Sequence, residues 1–89
     1  MAIGSAGFTP SKIEDNIYNL IDRVDFIMSS DTYTPRAMRA VESYLTSERV
    51  PWNAIWDEYP DKTGASVSFA WIENNHLHHI VLNAKYEEE

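Results

Sequence analysis

The sequence has 89 residues, 44 % of them hydrophobic and 24 % charged, as expected for one globular domain. Seven Lys and Arg face 14 Asp and Glu, and the resulting formal charge of −7 argues against direct nucleic-acid binding and against docking on an anionic membrane. Cysteine is absent, which excludes disulfides, thiol catalysis and thiolate metal sites.

Residues 1–8 read as a flexible N-terminal arm, small and uncharged, without the apolar run of a signal peptide. Ala2 stands where myristoylation would need glycine. With no apolar stretch approaching the ~20 residues that span a bilayer, the expected location is the cytoplasm.

A single α+β domain is expected over residues 9–86. Thr9-Pro10 offers one helix start and Ser11…Glu14 a second, the capping box, two residues later. Ile13, Ile17, Leu20, Ile21, Val24, Ile27 and Met28 then recur at helical spacing, which predicts a first helix over 10–28. Thr34-Pro35 repeats the start signal, and Met38, Val41 and Leu45 predict a second helix over 35–48. The short link between them predicts a two-helix hairpin.

Residues 50–60 admit two readings. Trp52, Ile55, Trp56 and Tyr59 fall at i, i+3, i+4 and i+7 behind Pro51, the pattern of a short helix, which is the reading preferred here. Aromatic content and the turn-like Pro60-Asp61-Lys62-Thr63-Gly64 suit a strand. Alternation then becomes regular. Val67, Phe69 and Trp71 share one face, Asn74-Asn75 suits a two-residue hairpin turn, and residues 76–86 return. That turn sets Trp71 opposite His78, Phe69 opposite Ile80 and Val67 opposite Leu82, with all six side chains on one face. The other face is half apolar through Ala70, Ile72, Leu77 and Val81. The expected architecture is a helical hairpin packed on a small C-terminal antiparallel sheet of two or three strands. Glu87-Glu88-Glu89 is an acidic tail.

Chemical motifs are few. His76 and His78 point the same way on a strand, with Glu73 as the nearest third ligand, but a strand that stacks His78 on Trp71 accounts for them without metal. No nucleophile elbow or phosphate-binding glycine loop occurs. Arg36, Arg39 and Arg49 lie near the second helix, where Glu42 offers an ion-pair partner for Arg39. No catalytic residue, metal site or cofactor is therefore assigned, and the chain is not expected to be an enzyme.

The acidic residues carry more information. Asp15, Tyr18, Asp22 and Asp25 lie on the side of the first helix away from its apolar stripe. Asp57, Glu58 and Asp61 cluster in sequence beside Trp56. Solvated helix faces commonly look like this, yet aromatic residues next to exposed acids also mark interfaces. These eight residues form the expected partner-binding surface. The expected function is that of a small acidic inhibitor of a basic protein, of the immunity, antitoxin or phage-encoded defence-antagonist type. Its partner would be a nucleic-acid-binding enzyme, whose nucleic acid it would mimic. The alternative is a structural or adaptor subunit whose sheet edge or second face joins a homo-oligomer or larger assembly, such as a homodimer through the second sheet face.

Overall fold

The computed structural model describes residues 10–24 and 32–86. Its elements are α1 (Lys12–Val24), β1 (Thr32–Tyr33), α2 (Pro35–Ser47), β2 (Trp52–Glu58), β3 (Gly64–Glu73) and β4 (His76–Lys85). The N-terminal arm, the acidic tail and the predicted last turn of the first helix lie outside the described residues.

Of the two possible starts for α1, the chain uses Ser11. Its Oγ accepts the Glu14 N–H at 2.9 Å, which satisfies one of the amides that a helix leaves free at its first turn. α2 starts as the sequence predicts, with Pro35 in the first turn and Thr34 Oγ1 accepting the Ala37 N–H at 3.1 Å. It ends where the Glu48 N–H reaches the Tyr44 and Leu45 carbonyls and Arg49 turns to φ 60°.

The strands form one sheet in the order β1-β4-β3-β2, with β1 parallel to β4 and the other pairs antiparallel. The expected β3–β4 register is present: Trp71 pairs with His78, Phe69 with Ile80 and Val67 with Leu82. Asn74 and Asn75 carry it through their turn at φ 54° and 66°, backbone angles that asparagine tolerates better than most side chains.

Three expectations are corrected. Among the described residues the sheet has four strands, not two or three. The link between the helices carries β1, which pairs with β4, so the helices are not joined as a simple hairpin although they pack on each other. Residues 52–58 are a strand, not a helix, paired with β3 from Trp52–Trp71 to Glu58–Ala65. The reason for the last is local and tertiary at once. Pro51 and Pro60 bracket too few residues for a stable helix. The far edge of β3, by contrast, offers a complete ladder, whereas a bare hairpin would be marginal in water.

The core lies between the helices and one face of the sheet. Ile13, Ile17 and Ile21 of α1 and Ala37, Met38, Val41 and Leu45 of α2 are buried against Val67, Phe69, Trp71, Ile80 and Leu82. Each large apolar side chain so buried contributes about 1.5–3 kcal/mol relative to exposure. Leu20, counted with the stripe in the sequence, is only half-buried.

Candidate functional site

Asp15, Tyr18 and Asp22 recur at three- and four-residue spacing, so α1 carries them on one side while Ile13, Ile17 and Ile21 face the core. Both aspartates are exposed, and Tyr18 retains 37 % of its surface. Partial burial, with Glu14 nearby, raises the Tyr18 pKa above 10.0, so its hydroxyl stays protonated at neutral pH. Among the described residues no Lys or Arg nitrogen comes within 4.0 Å of a carboxylate, so neither aspartate is neutralised by contact. Tyr18 also lines an open depression of about 330 Å³ with Tyr33 of β1 and with Val81, Leu82 and Asn83 of β4. Tyr33 was not legible as a site residue because β1 is too short to show a period. Asp25 lies outside the described residues.

The second group separates. As β2 is a strand, successive side chains take opposite faces. Trp56 turns toward the helices and is half-buried. Its indole N–H donates to Glu42 Oε2 at 3.1 Å, and the Arg39 guanidinium lies 5.7 Å from its ring. Asp57 is exposed on the other face of the sheet. Glu58 accepts the Tyr86 hydroxyl at 3.3 Å. Asp61 closes its own turn: Oδ1 accepts the Thr63 N–H at 3.1 Å and the Thr63 hydroxyl at 2.8 Å, and these bonds lower its pKa. The extended strand divides this group, with Asp57 on the face of the sheet away from Trp56.

That other face of the sheet has an apolar centre. Ile55 is 59 % exposed, Leu77 70 % and Val81 50 %, with Ile72 at 37 %. Ile55 pairs with Ser68, and Ser68 with Val81, so one row crosses three strands. Ile72 and Leu77 pair nearer the hairpin end. The sequence showed all of these except Ile55, which the helical reading had placed elsewhere.

Among the described residues Glu73, at the end of β3, accepts several hydrogen bonds. It receives the Ser11 hydroxyl at 2.6 Å, the Trp71 indole N–H at 3.0 Å and the Ile13 N–H at 3.4 Å. His78 stacks on Trp71 with ring centroids 5.7 Å apart and planes at 17°. Its Nε2 is buried, lies 3.9 Å from Glu73 Oε1 and has no hydrogen-bond partner. This group ties the first turn of α1 to the hairpin, and its one carboxylate sits where the helix dipole favours negative charge. His76 is exposed, opposite Glu73 in the β3–β4 register. Among the described residues no three His, Asp or Glu side chains gather as metal ligands, and no helix is long and apolar enough to cross a membrane.

No family model matches the chain, and neither the characterised proteins nor the solved structures compared with it give a match.

Proposed function

We propose that the chain is a non-enzymatic protein-binding domain that inhibits a basic partner by covering its positive surface. A nucleic-acid-binding enzyme fits this best, with the acids of α1 standing in for phosphates. The observation that carries this reading is the face of Asp15, Tyr18 and Asp22. Its two carboxylates are exposed and unpaired by cations, and its aromatic ring borders the depression at β4. Complementary charge of this kind acts mainly on the rate of association. Capture from the native host and mass spectrometry identify the partner. The test is then the double variant Asp15→Asn/Asp22→Asn. Its stability should stay within about 0.5 kcal/mol of the parent, as for ordinary surface changes, while association slows and its salt dependence flattens. Unchanged association at low salt rejects charge docking through α1. Asp57→Asn/Glu58→Gln serves as the comparison, because those side chains lie on a different part of the surface.

A second reading, a structural or adaptor subunit, has its own support in the exposed apolar row of Ile55 and Val81 and in Leu77. Exposed apolar groups gathered on one sheet face are a feature of assembly surfaces.

A further inference from the structure

We propose that the outer edge of β2 pairs with the same edge of a second copy, giving a two-fold dimer with one continuous eight-stranded sheet. Among the described residues β2 ends the sheet, and no strand pairs with its outer side. The Ile72 N–H donates to the Pro51 carbonyl and the Tyr59 N–H to the Gly64 carbonyl. Antiparallel ladders alternate bonded and non-bonded residues. Asn53, Ile55 and Asp57 therefore turn their backbone groups to β3, while Trp52, Ala54, Trp56 and Glu58 turn theirs outward.

Edge strands are ordinarily guarded by proline, lysine, a bulge or an inward-pointing charge. Residues 52–58 contain no proline or lysine, and their register with β3 runs without a break. The side chains toward the helices are Trp52, Ala54 and Trp56, with charge only at the terminal Glu58. α2 meets the helix-side face of this strand rather than its backbone edge: the Trp52 indole N–H donates to Thr46 Oγ1 at 3.1 Å, and Trp52, Glu42, Ser43 and Thr46 line an open groove of about 340 Å³.

The choice of a second copy rests on self-complementarity. Ile55 is the middle residue of this strand, so full antiparallel overlap puts the two-fold axis there. Trp52 then meets the second copy's Glu58, and Ala54 meets its Trp56, each pair exchanging outward-facing backbone bonds. On the helix side the small Ala54 leaves room for the Trp56 indole. On the other side Asn53 meets Asp57, and Ile55 meets Ile55 in a non-bonded pair, where side chains come closest. The row of Val81, Ser68 and Ile55, apolar at both ends, continues across the axis into its symmetry mate. No like charges are opposed. An axis two residues further along would set Asp57 against itself.

Analytical ultracentrifugation of the full chain, from about 1 µM to about 1 mM so as to bracket weak association, should show reversible conversion from 10.2 kDa to twice that mass. Two variants address the edge. Ala54→Pro removes an outward N–H and no bond to β3, and Ile55→Lys places two cations on the axis; each should leave the folded monomer and abolish the dimer. The parent has no cysteine, so Ile55→Cys should cross-link into a covalent dimer on mild oxidation, whereas Asn53→Cys, remote from its own copy in this register, should not. A parent that stays monomeric throughout overturns the proposal. So does a dimer that survives Ala54→Pro and Ile55→Lys, or one that Ile55→Cys fails to cross-link. Salt separates this surface from α1. Screening the −7 charge of each copy should strengthen the dimer, whereas docking on a basic partner should weaken.

Discussion

Gly64 opens β3 where the backbone of β4 leaves no room for a side chain: a Cβ there would lie 2.1 Å from the Ala84 carbonyl oxygen. The obstacle is backbone, so relief requires the strands to part. Gly64→Ala should cost about 3 kcal/mol, the upper end for overpacking, and urea unfolding measures it; a loss under about 1 kcal/mol would mean that the strands yield easily. Glu73 responds to pH instead. Burial disfavours its charge, but the bonds from Ser11, Trp71 and Ile13, with His78 alongside, outweigh burial and hold its pKa below 4.5. A carboxylate with a depressed folded pKa stabilises the fold above its unfolded value and loses that contribution as pH falls through the folded one. Glu73→Gln should therefore be less stable than the parent at neutral pH, and the gap should close as pH drops below 4.5. Urea midpoints across that range check it, and a gap independent of pH would show that the charge contributes nothing.

At the scale of elements, α2 closes on a residue that is poorly suited to its backbone. Arg49 adopts φ 60°, a left-handed conformation that costs a side chain roughly 1–2 kcal/mol and that glycine takes freely. Arg49→Gly should raise stability by about 0.5–1 kcal/mol in chemical denaturation, less than the full strain because glycine loses more entropy on folding. No gain would place the strain elsewhere. The elements that the sequence showed clearly are those fixed by neighbours in the chain. Asn74-Asn75 set the register of β3 and β4, and Thr34-Pro35 set the start of α2. β2 was hidden because its aromatic spacing also fits a helix, and because the groups that decide the matter lie on β3. β1 has two residues, too few for any period, and its partner is at the far end of the chain.

Over the whole molecule the net charge of −7 says how acidic the surface is but not how the acids are distributed. The α1 face was legible because one helix carries all of it. The group around Trp56 was not, because adjacency in sequence becomes separation across a sheet once the segment is extended. Asp61 is occupied by its turn and Glu58 by Tyr86, which leaves Asp57 as the free acid of that group. The two contacts proposed above, on the α1 face and on the outer edge of β2, differ in chemistry, so they would take different neighbours.

The parallel pairing of β1 with β4 constrains the route by which the chain reaches its fold. β3 and β4 meet through a two-residue turn, shorter than the link between β2 and β3. β1 meets β4 only after α2, β2 and β3 have all intervened. Closing so long a loop costs entropy that is regained only when its ends already have a surface to dock on. The hairpin is therefore the natural nucleus, and β1 the last strand to arrive. Val67→Ala, in the hairpin, should mainly slow refolding, and Tyr33→Ala, on β1, should mainly speed unfolding. Stopped-flow measurements on the two variants distinguish these limbs, and the reverse pattern would put nucleation at the helices.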